Sequence, residues 1–383
     1  MTKEFVMVNI FACGDIVNYS NKTGIICDKA LYQSISEADY SIANFEAPVF
    51  GFGDPIPKSG PHHSQRVETI AGLKKMGFDA ILLANNHMLD YGHEGLLATI
   101  KEAEKNQIET VGAGINYTTA YIPLIKDIKG LKIGIVNASE AQFGVYNLEN
   151  RNKRGGYAWI NDTSIDRLIV SLKKSCDFVL VFSHAGLENY PIPQIDWRDR
   201  YQFLCSLGAD VIVGSHPHIP QGYERFGDSL IFYSLGNFYF DGGRWKGKRN
   251  DSFSIILQLE KNRVPEFKPI FHHVNRDMVV LSSSDERIDL EELNELLSKK
   301  YTEEHRKMVL TAYKNVQYNL LRGLAPFPIN TSIFRTLKEI FATILGRRKS
   351  FDKKILALHM IRNESYYYVA RCALEYLNDE KKI

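Results

Sequence analysis
From the N-terminus to about Leu281 the chain alternates short apolar runs with amphipathic stretches. The runs Phe5–Ala12, Tyr40–Ala43, Asp79–Ala84, Leu131–Ala138, Asp177–Ser183, Asp210–Val213, Leu230–Ser234, Ser252–Leu259 and Phe267–His273 read as strands. The early ones are rich in Ile, Leu and Val without strict alternation, which is the pattern of strands covered on both faces. Helical spacing recurs between them. Trp197, Tyr201, Leu204 and Cys205 fall at i, i+4, i+7 and i+8, one stripe of a helix. Two consecutive strand-like runs over Leu230–Leu259 point to a sheet that becomes partly antiparallel. The expected class is α/β, with two mixed β-sheets flanked by helices.

After about Ser282 the strand signals stop. Helical patterns cover Ile288–Lys299, Glu303–Arg322, Ser332–Leu345 and Lys353–Asn378. Val309, Ala312, Tyr313, Val316 and Leu320 share a face, as do Val369, Cys372, Ala373 and Tyr376. Ala325-Pro326-Phe327-Pro328 separates two of these helices. The expected organisation is an α/β domain over residues 1–282 and an all-helical C-terminal extension over residues 283–383. The extension either packs on the body or holds a partner.

Composition narrows the function classes. In 383 residues, 47 Lys and Arg stand against 45 Asp and Glu, a formal net charge of +2, so no strongly basic surface for nucleic acid is expected. Cys13, Cys27, Cys176, Cys205 and Cys372 are an odd, scattered set without a CxxC, as in a reduced cytoplasmic protein. No run approaches the roughly 18 apolar residues of a membrane span. The run from Phe5 to Cys13 is short, contains Asn9 and ends in Gly14-Asp15, so it reads as a buried strand and not a signal peptide.

The chemistry-bearing residues share one address, the turn after a strand. Asp15 follows the first run, and Asn44 and Glu46 follow the second. Asn85, Asn86 and His87 follow the third, His184 follows Asp177–Ser183, and His216 and His218 follow Asp210–Gly214. Open α/β sheets collect ligands outside the carboxyl ends of their strands. Singly, Asp15 could cap a helix and Asn85-Asn86 could make a turn. Together, two carboxylates, amide oxygens and imidazoles are a mixed nitrogen and oxygen set suited to one or two divalent ions, Mn, Zn or Fe. His93, His305 and His359 read as surface or core histidines, and His62 and His63, in a Gly/Pro loop, stay open. No G-x-S-x-G elbow is present, and Gly112-Ala113-Gly114 is too short to cradle a phosphate.

Several segments resemble the CapA family. They are Ala12-Cys13-Gly14-Asp15-Ile16, Ala38 through Glu46, Ala84-Asn85-Asn86-His87-Met88-Leu89-Asp90-Tyr91-Gly92, Gly208 through His218, and Tyr233-Ser234-Leu235-Gly236-Asn237-Phe238. The resemblance covers roughly residues 5–242. Members are described as capsule or poly-γ-glutamate biosynthesis proteins of the calcineurin-like metallophosphatase superfamily, which implies a layered metallophosphatase-like fold. It also implies metal ligands at Asp15, Asn44 or Glu46 (Glu46 the better bridge), Asn86, His184, His216 and His218, with His87 as proton donor. The superfamily's Gly-Asp-x-His pattern is matched only by Gly14-Asp15, because Val17 stands at the histidine position. The site there would need Glu188, Asp90, His62 or water as a substitute.

The implied reaction is hydrolysis of a phosphate mono- or diester. Metals about 3.5–4 Å apart lower the pKa of a bridging water that attacks phosphorus, and a protonated His87 gives its proton to the leaving oxygen. The alternative is a non-catalytic assembly factor of a capsule or polymer synthase, docked through the helical extension. Arg244, Trp245, Lys246 and Arg249, in the loop after Gly236-Asn237-Phe238, are expected to grip an anionic or glycan-related substrate.

Overall fold
The apolar runs form two sheets that face one another. In the computed structural model, which describes residues 6–146, 151–325, 332–345 and 353–379, the first sheet has eight strands. Their order is β17 (Met278–Leu281), β16 (Glu266–Asn275), β15 (Asp251–Glu260), β1 (Met7–Val17), β2 (Tyr40–Phe45), β3 (Ala80–Leu82) and β4 (Glu109–Val111), with β14 (Asn237–Phe240) also pairing with β1. The second runs β12 (Tyr223–Phe226), β13 (Ser229–Phe232), β11 (Val211–Ser215), β10 (Phe178–His184), β7 (Leu131–Ser139) and β6 (Leu124–Ile128). A small third sheet joins β5 (Ala113–Gly114), β9 (Gly156–Ala158) and β8 (Val145–Tyr146). The central strands are parallel in both large sheets. The two runs within Leu230–Leu259 fall in different sheets, as β13 and β15, and each sheet has its own antiparallel part, β12–β13 and β6–β7 in one and β1–β15–β16–β17 in the other.

The unbroken apolar runs follow from this stacking. On β1, Val8, Ile10 and Ala12 point into the seam between the sheets, beside Leu180, Val211 and Leu257. Phe11 and Cys13 point the other way, into a core shared with α1 (Lys29–Ser36), α2 (Glu68–Lys75) and α3 (Gly92–Lys105). Both faces of the strand are dry, so neither parity is polar. On the far side, Val179, Val181 and Ile212 pack with α5 (Thr163–Lys173) and with the Trp197, Tyr201, Leu204 and Cys205 stripe of α6 (Ile195–Ser206). A short helix, α4 (Tyr117–Ala120), packs on the small sheet.

The C-terminal helices are α7 (Leu290–Leu297), α8 (Tyr301–Leu324), α9 (Ile333–Ile344), α10 (Lys353–Arg362) and α11 (Glu364–Asp379). Val309, Ala312 and Val316 of α8, Met360 of α10 and Val369 and Ala373 of α11 enter the same core as Trp197 and Leu204. The polar seams agree, for Trp197 Nε1 donates to Ser365 Oγ at 3.0 Å and Gln194 Nε2 to the Ser365 carbonyl at 2.9 Å. By contrast, Ile333, Phe334, Phe341 and Ile344 of α9 stay exposed. No described helix is long and apolar enough to cross a membrane.

Three expectations change. The helix expected over Lys353–Asn378 is two helices, because Asn363 stops one and starts the next, its Oδ1 accepting the Tyr366 N–H at 2.8 Å. Asp15, Asn44 and His184 lie within their strands and not in the turns after them. The short strands β4, β6, β12, β14 and β17 were not expected, since three to five residues give too little periodicity to stand out. Phe5 and the Pro326–Pro328 breaker lie outside the described residues.

This packing makes Val369 a test of whether the extension and the body share one core. Val369→Ala should cost about 2–3 kcal/mol in urea unfolding, from lost burial plus a cavity. The transition should stay single. A separate low-denaturant transition for the helices would contradict a common core.

Candidate metal centre and substrate cavity
Parallel strands from both sheets bring their carboxyl ends to one edge, and the polar residues meet there across the seam. Close backbone packing opens the place. A Cβ on Gly14 would lie 1.8 Å from the Gly236 carbonyl oxygen, so only glycine lets β1 approach that turn. The β1–β2 register then slips between Cys13 and Asp15, and the bulge turns Asp15 into the site.

Asp15, Glu46 and His184 are fully buried. Asp15 lies 3.6 Å from His184 Nδ1 and 3.4 Å from His218 Nδ1, and Glu46 lies 3.6 Å from His184 Nε2 and 3.8 Å from His218 Nδ1. Asn86 Oδ1 is 3.0 Å from His184 Nε2. The rings of His184 and His216 are 4.6 Å apart. Asn44 presents its amide nitrogen, at 2.6 Å from Asp15 and 3.1 Å from His184 Nδ1, so in this arrangement it positions those groups. His216 and His218 both have positive φ, 95° and 63°, a strained backbone for non-glycine residues that aims both imidazoles at the centre.

A family model described as bacterial capsule synthesis protein PGA_cap matches residues 10–242. The chain belongs to that family. It is 31% identical over 236 residues to the capsule biosynthesis protein CapA of Bacillus anthracis, across 60% of this chain and 56% of that protein. It is 33% identical over 233 residues to the PGA biosynthesis protein CapA of Bacillus subtilis, across 60% of each. The match therefore spans less than two thirds of these relatives' own length. Among solved structures, the calcineurin-like phosphoesterase YfkN of Bacillus subtilis aligns with 79% of this chain and 99% of its own at 15% identity and a TM-score of 0.42, a distant likeness that says nothing about activity.

Within this family frame, the donor set fits a divalent cation on physical grounds. Both Glu46 carboxylate oxygens, Asn44 Oδ1 and His216 Nδ1 are buried without a hydrogen-bond partner. Glu46, His216 and His218 have ligand atoms within 4.8 Å of one another. Burial and the Asp15 charge push the Glu46 carboxyl well above the usual carboxylate range. Against the cost of burial, Glu46, Asp15 and Glu188 raise His218 to about 10. The cluster thus holds surplus negative charge and borrows a proton to offset it, the role a cation would take.

A second network borders this centre. His87 Nδ1 is 2.7 Å from Asp90 Oδ2, and Asp90 is ion-paired with Lys58, whose Nζ also lies 3.1 Å from His87 Nδ1. Burial, then the Lys58 ammonium, pushes His87 well below the ordinary imidazole range. The side chains considered as substitutes for the histidine absent at Val17 have partners of their own, although Glu188 also lines the cavity with His218. Asp90 is tied as described, Glu188 accepts from Arg244 at 2.8 Å, and His62 Nε2 meets the Ile56 carbonyl at 2.7 Å. Val17 itself is fully buried core.

A cavity of about 480 Å³ opens onto these groups, lined by Lys58, His63, Asn86, His87, His218, Gly242, Arg244 and Trp245 among others. Of the four loop residues expected at the substrate, Arg244 and Trp245 line it. Lys246 and Arg249 do not, since Lys246 is exposed beyond the cavity lining and Arg249 pairs with Asp251 and Glu286 at 2.8 Å each. Sequence reasoning missed Lys58, Glu140, Gln142, Phe143, Asn363 and Tyr366. Glu140 sits 3.6 Å from His216 Nε2 and directly follows β7, so the strand-end rule could have found it. His63, left open, lines the cavity with its ring 4.2 Å from that of His87, and His359 lines it too.

Glu46 supplies a signed test. Glu46→Gln removes a buried carboxylate that accepts no hydrogen bond, so metal-stripped protein should melt several degrees higher than the wild type. Added Mn²⁺ should raise the wild-type melting temperature and leave the variant nearly unmoved. Equal Mn²⁺ shifts would remove Glu46 from the ligands.

Proposed function
We propose that this protein is a metal-dependent phosphohydrolase, acting on a phosphate mono- or diester in capsule, surface-polysaccharide or poly-γ-glutamate biosynthesis. One observation carries the reading: the Glu46 carboxylate, which accepts no hydrogen bond, lies against His218, and His218 lines the same cavity as His87 and Lys58 of the His87–Asp90–Lys58 network. Asp15, Glu46, Asn86, His184, His216 and His218 would hold the ion or ions. A bound divalent ion supplies Lewis-acid polarisation of a phosphoryl oxygen and a more acidic water.

The chain's own groups do the rest. Asp90 and Lys58 fix the His87 ring, leaving Nε2 for the substrate. A phosphate anion entering the cavity opposes the downward push that burial and Lys58 exert on His87, so the imidazole takes up a proton and delivers it to the leaving oxygen. Asn86, whose Oδ1 lies 3.0 Å from His184 Nε2, would orient the phosphoryl group beside it. Lys58, His63 and Arg244 add cationic and hydrogen-bonding contacts around the anion. The five unpaired thiols fit a cytoplasmic setting.

His87→Ala should therefore lose about 100-fold or more in kcat on an alkyl phosphate in the presence of Mn²⁺. On nitrophenyl phosphate, whose leaving group needs little protonation, the loss should stay below about tenfold. Equal losses on both esters would exclude the proton-donor role.

The exposed apolar stripe of α9 favours a second reading, an assembly factor whose α9 is covered by a protein subunit of the polymer synthase. Polymer production in cells carrying either His87→Ala or Phe334→Ser with Phe341→Ser separates the two. The hydrolase reading expects the His87 variant to fail. Normal polymer with His87→Ala and none with the α9 pair would decide for the assembly factor.

A further inference from the structure
The cavity extends beyond the groups that a phosphate would occupy, and its far lining comes from outside the family-matched residues 10–242. His359 of α10, Asn363 between the helices and Tyr366 of α11 line it together with Gln142 and Phe143. We infer that the C-terminal helices form the part of the cavity that binds the organic half of the substrate, and that this half is a sugar. The inference rests on the phosphoester reading above.

The polar inventory of this wall points to hydroxyl groups. Asn363 spends Oδ1 on the cap of α11, and among the described residues no group meets its Nδ2, although the residue is only 4% exposed. The Tyr366 hydroxyl likewise has no partner among the described residues, and Gln142 spends Nε2 on Glu140 at 2.6 Å, leaving Oε1. Buried polar groups that the protein leaves unpaired yet open to a cavity are the groups that fix a ligand's orientation. Two donors and an acceptor stand here beside flat apolar faces. Phe143 and His359 stack at 5.6 Å with 2° between their planes, and Trp245 lines the same cavity. A pyranose has that mixture, with hydroxyls at its edge and C–H groups on its faces. About 480 Å³ accommodates a hexose phosphate.

The wall is also rigid. Glu364 accepts from the Ala141 N–H at 2.6 Å and from Trp159 Nε1 at 3.0 Å, and Ser365 Oγ donates to Glu140. The start of α11 is thereby fastened to the turn that carries Gln142 and Phe143, so little ordering remains to be done on binding.

Calorimetric titration of the full chain with glucose 1-phosphate, inorganic phosphate and AMP tests this. Asn363→Asp keeps the capping oxygen and loses the donor, and Tyr366→Phe keeps the ring and loses the hydroxyl. The wild type should prefer glucose 1-phosphate to inorganic phosphate, and that affinity ratio should fall about three- to tenfold in each variant. An unchanged ratio in both, no binding of glucose 1-phosphate, or a wild-type preference for AMP would each overturn the proposal. Turnover of nitrophenyl phosphate is scored apart. Asn363-dependent sugar binding without any turnover would support the wall while removing the hydrolase reading.

Discussion

Two carboxylates, Asp15 and Glu46, are buried at the meeting line of two sheets, and much of the surrounding architecture answers the cost of keeping charge there. Asp15 is served by Asn44 and by the His216 backbone N–H at 3.2 Å, and its carboxyl lies below the ordinary range despite burial. Glu46 receives no hydrogen bond at all. A group of that kind is tolerated only where a cation or a proton offsets it. The imidazoles around it, two of them on strained backbone, are arranged to share that task.

The strain and the charge are held by what lies behind them. His216 is backed by Glu140, whose carboxyl burial raises to about 8, and Glu140 accepts from Gln142, Ser365 and the Gly186 N–H. Ser365 belongs to α11. A residue more than a hundred positions beyond the family-matched segment therefore reaches the side chain that backs a candidate ligand. Because Val369, Cys372 and Ala373 of the same helix sit in the core with Trp197, the contact is fixed by packing and not by the hydrogen bond alone.

The expectations that the structure matched share a physical origin. Dry faces on both sides of β1, β2, β10 and β11 impose continuous apolar runs, and the polar residues at their carboxyl ends face the sheet edge, which made Asp15, Asn44, Glu46, His184 and His216 readable together. Lys58 gave no such signal. It lies in a loop with no periodicity, and its role arises from meeting Asp90 and His87, 32 and 29 positions away. Asn363 was read as one more helical position, because one polar residue inside a periodic stretch is as common on an exposed helix face as at a cap. The charged run Arg244–Arg249 looked uniform in sequence. Side-chain partners divide it, Arg244 going to Glu188 by the cavity and Arg249 going to Asp251 and Glu286.

Val17 gives the centre its asymmetry. On one side, His184 and His216 are enclosed by Asn44, Ser215, Asn86 and Glu140, so their rings are oriented before any ion arrives. On the other, His218 Nδ1 meets Asn237 Oδ1 at 2.9 Å, Asp15 accepts from Asn44 and from the His216 N–H, and Val17 is buried core. Ligands already held in place lose less freedom on binding than ligands that must be recruited. An ion on the side of Asp15 and His218 would have one imidazole fewer to recruit, and Glu46, reaching His184 and His218 alike, is the group that would couple the two sides.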